Sequence, residues 1–518
     1  MGLNLLSFIK NKVSKEQKIA FISTFLIALL VHIYKFTNTL PNHDSLVNYY
    51  DSQNILGSGR WALSIACGFT SYFDLPWVIG AVSCLFIALT VVVMVTLFKV
   101  KNPVIIVLFG GLLTTSLATT ETFFFLFTAD GYMIAMFLAA VAVYLSRIDE
   151  HRVWRWVISG ICICISCGIY QAYVSFALIL AICYFMYELL QDNHKKKDCY
   201  IWIGRQACIF ACSLAAYFII WKLCMHISGI TANSYQGIAE VGKISFSLIP
   251  NGIVSAIESF AMYFLQWNVV AHGWTLYSVL NITFLLVFLI GLIIAIKESK
   301  IFARRWAFFL VLICCIAIVP FACIWHFVSG FVDYRAMMLQ SLTILFAFTA
   351  LLFEHWAKKY LKSIVGLFLL VIILNNALMA NISYFYMNLS YEQTYADGLK
   401  MVMEIHDMQN QYEFEKIAVI GDRFVEVQLD MFDENGKVSP AGKIHLLSRL
   451  IENNMLYDQK RTVSFLRNTY GLELASVSEE EQELLAQTEM VTNMPCWPAN
   501  GSMCVMDGTL VIKLANSK

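Results

Sequence analysis

Long apolar runs separated by short polar connections occupy roughly the first three quarters of the chain. Each run is close to the roughly 20 residues that a helix needs to cross a bilayer. The runs cover residues 18–37, 77–98, 103–120, 131–147, 155–170, 172–190, 205–225, 275–296, 306–326, 336–353 and 363–383. The pattern predicts a polytopic α-helical membrane protein with about eleven transmembrane helices.

The pattern changes after Tyr391, where charged residues occur throughout and long apolar runs are few. This part predicts a helix at about 391–412, a strand at 416–421 and further mixed elements. We therefore expect a transmembrane domain over 1–383 and a small soluble α/β domain over 384–518. The transmembrane domain has two long connections, 38–76 and 226–274. Within the second, the apolar stretch 249–266 fits a re-entrant or surface-lying helix as well as a crossing.

Composition agrees with a membrane protein: 59% of the residues are hydrophobic, 14% are charged and the mean hydropathy is +0.66. Soluble domains are only about half apolar. The formal net charge is zero, which argues against a nucleic-acid partner. Cys496 and Cys504 are the cysteines of the polar tail, and whether they pair is left open by their spacing.

Basic residues are concentrated on every second connection. They lie within 10–18, 99–101, 147–155, 195–197, 297–305 and 358–362. The positive-inside rule predicts that these connections are cytoplasmic. The N-terminus is then cytoplasmic, and an odd number of spans makes the C-terminal domain extracytoplasmic.

The first predicted external loop contains candidates for acid–base chemistry. Asp44, Asp51 and Arg60 lie in this loop. An acceptor sugar hydroxyl must lose a proton when it attacks an anomeric carbon, and a carboxylate within hydrogen-bond reach can take it. Asp44 is the candidate base, and Asp51 and Arg60 are candidates for binding substrate. The alternative is that the carboxylates are solvated or cap helices.

Other polar residues fall on the same predicted side. Glu121 and Asp130 flank an aromatic segment, and Tyr170-Gln171 lies where two apolar runs meet, so these residues are candidates for positioning sugars. A polar turn that ends two helices is the alternative for the last pair.

Two cations are candidates for binding a lipid phosphate. Arg335 precedes the tenth run and Lys222 lies near the outer end of the seventh. The guanidinium fork of arginine matches phosphate oxygens, and lysine offers a point charge. Interfacial snorkelling is the alternative.

No histidine or cysteine spacing indicates a structural metal site, and we predict none. A divalent cation held by carboxylates at 44, 51, 121 and 130 stays open, because carboxylate oxygens suit hard cations. The nucleophile-elbow and phosphate-loop motifs are absent from the sequence. No other cofactor is predicted.

The common external side of these residues indicates a function. Cytoplasmic nucleotide sugars do not reach that side, so a transferase there needs a donor carried across the bilayer on a lipid phosphate. The sequence thus favours a membrane glycosyltransferase with a polyprenyl-phosphate-sugar donor and a glycan acceptor. The alternatives are a lipid-linked sugar flippase or transporter, and a surface-polysaccharide polymerase or ligase.

These residues also carry a family resemblance. The series is His43-Asp44, Gly59-Arg60, Glu121 with Asp130, and Tyr170-Gln171, followed in the tail by Met494-Pro495-Cys496-Trp497-Pro498, Gly501-Ser502, Asp507-Gly508 and Val511-Ile512-Lys513-Leu514. With it the chain resembles the Gtr type II glucosyltransferases, the serotype-converting enzymes that glucosylate bacterial O-antigen. His43 stands where the family has the first acidic residue of a pair.

The resemblance implies a GT-C type fold and location in the bacterial inner membrane. A direct displacement from a β-linked donor is expected to invert the anomeric centre. It also implies a polyprenyl-phosphate-linked hexose as donor, typically glucose on undecaprenyl phosphate, and O-antigen or another cell-envelope glycan as acceptor.

Overall fold

The structure is a computed structural model that describes residues 12–233, 248–265, 276–328, 332–423, 456 and 458–516. The predicted external loop 226–274 therefore lies partly outside the described residues. The chain forms two compact units. Unit 1 contains the described residues of 12–36 and 52–381, and unit 2 contains those of 37–51 and 382–516.

Unit 1 is built from helices, the last of which runs on into unit 2 after residue 381. They are α1 (Lys15–Thr37), α2 (Leu63–Ala66), α3 (Pro76–Leu97), α4 (Pro103–Thr115), α5 (Leu117–Phe124), α6 (Ala129–Leu145), α7 (Val153–Ile169), α8 (Tyr173–Gln191), α9 (Lys196–Ser228), α10 (Leu248–Leu265), α11 (Leu276–Glu298), α12 (Arg305–Ala322), α13 (Trp325–Val328), α14 (Thr343–Trp356) and α15 (Lys359–Gln409). Short 3₁₀ turns occupy Leu56–Ser58, Gly68–Thr70, Leu126–Thr128, Ile301–Ala303 and Ala336–Leu342. A polytopic helical architecture is confirmed.

The count of long apolar helices among the described residues is slightly lower than the predicted number of spans. Within the described ranges, nine helices are long and apolar enough to cross a membrane, or ten if the bent pair α4–α5 is one span. The predicted span 155–170 corresponds to α7, which has 17 residues. At 1.5 Å per residue that is about 26 Å, at the short end of the length that crosses a bilayer. Helix α10 is also a shorter apolar helix.

Local sequence explains where several helices begin and bend. Pro76 and Pro103 occupy the first turns of α3 and α4, where a missing N–H costs nothing. The Asn102 side chain caps α4 by accepting a hydrogen bond from Val104 N at 3.0 Å. Ser116 leaves the helical conformation and caps α5 by accepting from Thr119 N, and the two helices meet at 42°.

Burial separates central from peripheral helices in unit 1. The apolar windows of Tyr173–Gln191 and Ala336–Trp356 are 89% buried, whereas that of Arg305–Ala322 is 28% buried. Peripheral helices carry large exposed apolar side chains, such as Leu30 on α1 and Ile316 on α12. This is the distribution expected when outer helix faces contact lipid.

Unit 2 combines a small sheet with helices. Its strands are β1 (Lys416–Ile420), β2 (Ala475–Ser476), β3 (Met503–Met506) and β4 (Thr509–Lys513), and its further helices are α16 (Gln459–Tyr470), α17 (Glu479–Ala486) and α18 (Glu489–Asn493). The order is β2-β1-β4-β3, with β1 parallel to both neighbours and β3 antiparallel to β4. Alternate residues of β1 and β4, such as Ile417 and Ile512, pack into a core that contains Trp497.

The predicted strand at 416–421 is confirmed, and so is the α/β character of this region. The predicted helix at about 391–412 is confirmed up to Gln409, but it is the end of α15, which runs unbroken from Lys359 to Gln409. No glycine or proline lies between 384 and 390, so nothing in the sequence ends the helix there. Cys496 and Cys504 are not paired in the structure. Cys504 Sγ instead lies 3.4 Å from Met494 Sδ.

Candidate functional site

The Gly-Ser-Gly-Arg segment of the first loop is held by two aromatic side chains of α9. Leu56–Ser58 forms a 3₁₀ turn, and Gly59 ends it with a φ of +79°, in the left-handed region. Trp221 Nε1 donates to the Leu56 carbonyl at 2.9 Å, and Tyr217 Oη donates to the Gly59 carbonyl at 3.1 Å. The backbone that leads into Arg60 is therefore fixed by buried hydrogen bonds.

Gln171 belongs to the same anchor. Its Nε2 donates to the Ser58 carbonyl at 2.6 Å and to Tyr217 Oη at 3.0 Å. Trp325 Nε1 donates to the Gln171 carbonyl at 3.2 Å. The structure thus places the Gln171 amide against the loop backbone, and its contact with a sugar stays a prediction.

Gly59→Ala tests this anchor. A non-glycine residue at this φ costs roughly 1–2 kcal/mol, and the added Cβ would lie 2.6 Å from Gln171 Nε2 and nearer still to Tyr217 Oη. We expect lower thermal stability of the purified protein and loss of most transfer activity. Gly68→Ala is the control, because its Cβ would meet nothing closer than Tyr72 Oη at 3.9 Å. Equal melting temperatures for both variants would contradict the anchor.

Arg60 lies against two stacked tyrosines, and these three residues are the Arg60 cluster. The Tyr132 and Tyr170 rings are stacked with centroids 4.3 Å apart. Arg60 Nη1 donates to Tyr132 Oη at 2.9 Å, and its Cζ lies 4.8 Å from the centroid of the Tyr170 ring. Cation–π stacking and a hydrogen bond orient the guanidinium, which suits recognition of a planar or tetrahedral anion.

Asp130 lies two residues before Tyr132, in the first turn of α6. Its side chain is buried, with 1% exposed. Oδ1 accepts a hydrogen bond from Gly131 N at 2.8 Å, and Oδ2 has no hydrogen-bond partner among the described residues. The Cys67 thiol lies beside this carboxylate, and burial together with the charge of Asp130 raises the pKa of Cys67. Asp130 is therefore an interior group rather than a solvated loop residue.

Glu121 caps the segment that carries Arg335. The Glu121 side chain is fully buried, and its Oε2 accepts a hydrogen bond from Met337 N at 2.7 Å. Met337 is in the first turn of the 3₁₀ segment Ala336–Leu342, and Arg335 immediately precedes this segment. Gln340 Nε2 adds a second link to Thr119 Oγ1 at 3.0 Å. The sequence does not signal this cap, since the partners are more than 200 residues apart.

Replacing Glu121 separates this capping role from a direct chemical one. Glu121→Ala leaves a buried N–H without its acceptor, which costs about 1–3 kcal/mol. Glu121→Gln keeps an oxygen that can accept from Met337 N. We expect the alanine variant to melt at a clearly lower temperature than the glutamine variant. If both keep wild-type stability but lose transfer equally, Glu121 acts on the substrate instead.

The two phosphate candidates lie in different surroundings. Arg335 is half-buried, and its Cζ lies 5.6 Å from the centroid of the Phe125 ring. The adjacent Tyr334 Oη accepts a hydrogen bond from Trp325 N at 2.9 Å. Trp325 also contacts Gln171, so a chain of hydrogen bonds joins the Arg335 segment to the loop anchor. Lys222 is exposed on α9, with Nζ 5.3 Å from the centroid of the Trp221 indole.

Asp44 lies in unit 2 and is bound to Arg461. Arg461 Nη2 and Nε both donate to Asp44 Oδ1, the latter at 3.2 Å. His43 Nε2 lies 3.5 Å from Asp44 Oδ2. The interpretation of Asp44 as a solvated loop residue is wrong, because it is half-buried in an ion pair. Asp51, in the same loop, is exposed.

Arg461 is one of the residues at the candidate site that the sequence does not point to. It lies in the first turn of α16, where the Asp458 side chain caps the helix by accepting from Arg461 N at 2.7 Å. Burial lowers the pKa of Arg461, but hydrogen bonds and charges from Asp44 and Asp458 outweigh burial, so the net shift is upward. Asp44 and Arg461 are 417 residues apart, and no local pattern predicts their contact.

The described part of the chain contains no group of three or more His, Cys, Asp or Glu side chains that would hold a metal ion. The carboxylates at 44, 51, 121 and 130 are thus not gathered into such a set.

A comparison with family models matched one family. The model described as "Glucosyl transferase GtrII" matches residues 33–352. Every candidate site residue lies within this range, while the tail motifs lie outside it. Searches of curated proteins and of solved structures gave no match.

Proposed function

Because the chain belongs to the GtrII glucosyltransferase family, we propose that it moves a hexose, in the first place glucose, from a polyprenyl-phosphate-linked donor to a surface polysaccharide such as O-antigen or another cell-envelope glycan. The observation that carries the proposal is the family match over 33–352, which includes all the candidate residues. Long apolar helices support a membrane-embedded enzyme with a lipid-linked donor.

The reaction requires a base and a stabilised leaving group. The acceptor oxygen forms a bond to the anomeric carbon as the bond from that carbon to the phosphate oxygen breaks. The acceptor proton passes to the Asp44 carboxylate, and the electron pair leaves on the polyprenyl phosphate. One direct displacement inverts the anomeric centre, as in an inverting GT-C enzyme.

Arginines are proposed to hold the departing phosphate. Arg335 is the first candidate and Arg60 the second. Negative charge grows on the phosphate oxygens in the transition state, and a fixed guanidinium stabilises it more than it stabilises the ground state. The Arg60 cluster supports this assignment, because Tyr132 and Tyr170 hold the guanidinium orientation. Asp51, Asp130, Tyr170 and Gln171 are proposed to position the sugars, and Lys222 is a further phosphate candidate.

The proposal includes a topology. With cytoplasmic basic connections, the N-terminus is cytoplasmic and the C-terminal domain is extracytoplasmic, in a bacterial inner membrane. Cysteine labelling from either side of intact spheroplasts tests this, with single reporter cysteines at exposed Glu479 and at Lys196. Labelling of the reporter at 479 from the outside and of that at 196 only after permeabilisation is expected.

Transfer in reconstituted vesicles tests the function. Purified protein is given a polyprenyl-phosphate-linked glucose donor whose glucose is labelled, together with O-antigen glycan as acceptor. We expect label in the glycan and free polyprenyl phosphate as the second product. Movement of label across the bilayer without a new glycosidic bond would identify a flippase. Longer glycan chains without added side-chain glucose would identify a polymerase or ligase.

A further inference from the structure

An exposed groove lies at one end of unit 1, between α4, α14 and the first part of α15. Its volume is about 740 Å³, within the range of small-molecule sites. The walls are mostly apolar and include Val104, Val107, Leu367 and Leu370, which are exposed on the protein surface. An exposed apolar groove on a membrane helix is filled by hydrocarbon chains of lipid.

One end of this groove is polar and positively charged. Asn102, Glu354, Lys359, Lys362 and Ser363 line it. Asn102 Nδ2 donates to Glu354 Oε1 at 3.1 Å, and Lys362 Nζ lies 3.8 Å from Glu354 Oε2 and also donates to the Glu354 carbonyl. Lys362 thus balances the charge of Glu354, and Lys359 adds an excess positive charge. Apolar walls that end in lysines match a lipid with an anionic headgroup.

One helix position on the groove wall carries no side chain. Gly366 lies on α15 and lines the groove, and a Cβ built on it meets no atom within 4 Å. A glycine inside a helix costs about 1 kcal/mol relative to alanine. A large side chain at this position would therefore project into the groove.

The groove and the candidate residues Glu121 and Arg335 lie at opposite ends of the same helices. Its polar residues lie at the start of α4 and the end of α14. The α4–α5 pair leads at its other end to Glu121, and α14 continues at its other end into the segment that begins after Arg335. The groove therefore opens at the end of the unit that holds the basic connections 99–101 and 358–362.

We propose that this groove binds an anionic diacyl phospholipid, with one acyl chain along the apolar walls and the headgroup phosphate at Lys359 and Lys362. The lipid is a constituent of the membrane rather than the sugar donor. It connects the ends of α4, α14 and α15 on the face opposite the candidate site.

Lipid binding to the purified full chain tests the proposal. The protein is placed in nanodiscs that contain equal fractions of phosphatidylglycerol, phosphatidylethanolamine and polyprenyl phosphate. It is then released from the nanodiscs, and the mass of the protein with its bound lipid is measured by native mass spectrometry. We expect one retained phosphatidylglycerol per chain. Gly366→Phe, which fills the groove, removes it. Gly204→Phe is the matched control, because Gly204 is an exposed helix glycine whose Cβ also meets nothing within 4 Å.

Charge variants test the headgroup contact. Lys359→Gln is expected to weaken phosphatidylglycerol retention about fivefold, the effect of one basic residue near a membrane surface. Glu354→Gln removes the negative charge at the same end and strengthens retention. Lys297→Gln and Lys300→Gln are the controls. Lys297 is in the last turn of α11 and Lys300 follows that helix, both are outside the groove lining, and we expect their substitution to leave retention unchanged.

Several results would overturn the assignment. Retention of phosphatidylglycerol by Gly366→Phe, or equal loss in Gly204→Phe, excludes the groove as the binding site. Preference for phosphatidylethanolamine shows that charge does not select the lipid. Retention of polyprenyl phosphate that Gly366→Phe abolishes would identify the groove as a donor site. These results come from lipid mass alone and are independent of whether the chain transfers glucose.

Discussion

Asp44→Asn is expected to lower the rate of hexose transfer by about 10²–10⁴-fold, the contribution typical of a general base. The amide is close in size to the carboxylate but does not accept the acceptor proton. The measurement is the initial rate at which labelled glucose is transferred from its polyprenyl-phosphate-linked donor in vesicles that contain matched amounts of inserted protein. Undiminished transfer by correctly inserted Asp44→Asn protein would rule out the base assignment.

The ion pair with Arg461 makes a control necessary. Asp44→Asn removes the base and also weakens a contact that holds the first loop on α16. Arg461→Gln breaks the same contact and leaves the carboxylate in place. Since half-buried pairs of this kind contribute about 1 kcal/mol, we expect Arg461→Gln to retain most of the transfer rate and to lose a few degrees of thermal stability.

The comparison of the two variants decides between the roles. If Asp44 is only a structural partner, Asp44→Asn and Arg461→Gln should show the same loss of activity and of stability. If Asp44 is the base, Asp44→Asn should be far less active than Arg461→Gln at similar stability. The hydrogen bond that Asn48 Nδ2 donates to the Asp44 carbonyl at 2.8 Å persists in both variants, so the local turn is kept.

The helices of unit 1 could be predicted because their signal is local. An apolar run of about 20 residues has few alternatives in a membrane protein. Helix α7 is the borderline case, because its composition is that of a span but its 17 residues are at the short end of the length that crosses a bilayer. In α15 the predicted span 363–383 and the predicted helix at about 391–412 form one continuous helix, because no glycine or proline lies between 384 and 390.

The candidate site could be predicted only in part. Arg60 and Tyr170 were both identified and lie in contact, and Tyr132 completes their cluster. The partners that hold these residues were not identified, because they come from distant parts of the chain. Tyr217 and Trp221 are ordinary aromatic residues of an apolar run until the fold places them against Leu56 and Gly59. Glu121 is predicted from the sequence to position a sugar, whereas in the fold it is completely buried and accepts a hydrogen bond from Met337 N.

Arg335→Gln is the second variant with a large expected effect. Loss of one group that stabilises developing charge typically costs about 10²–10³-fold in rate. Because Arg335 is half-buried and its backbone segment is held by Glu121, the substitution should leave the fold intact. We expect transfer to fall by this amount with little change in thermal stability. Arg335→Lys keeps the positive charge but not the guanidinium fork, so its transfer rate should lie between those of the wild type and Arg335→Gln.

Combining Arg335→Gln with Arg60→Gln shows whether the two arginines hold the same phosphate. The effects of substituting two groups that stabilise the same transition-state charge are not independent. The fold loss of transfer rate in the double variant should therefore be smaller than the product of the two single fold losses. Multiplicative losses would assign Arg60 and Arg335 to separate steps, for example acceptor binding and phosphate departure. Arg152→Gln is the control for removal of a positive charge, since Arg152 is an exposed residue of a basic connection and should leave transfer unchanged. If Arg335→Gln also leaves it unchanged, the leaving phosphate is stabilised by another group.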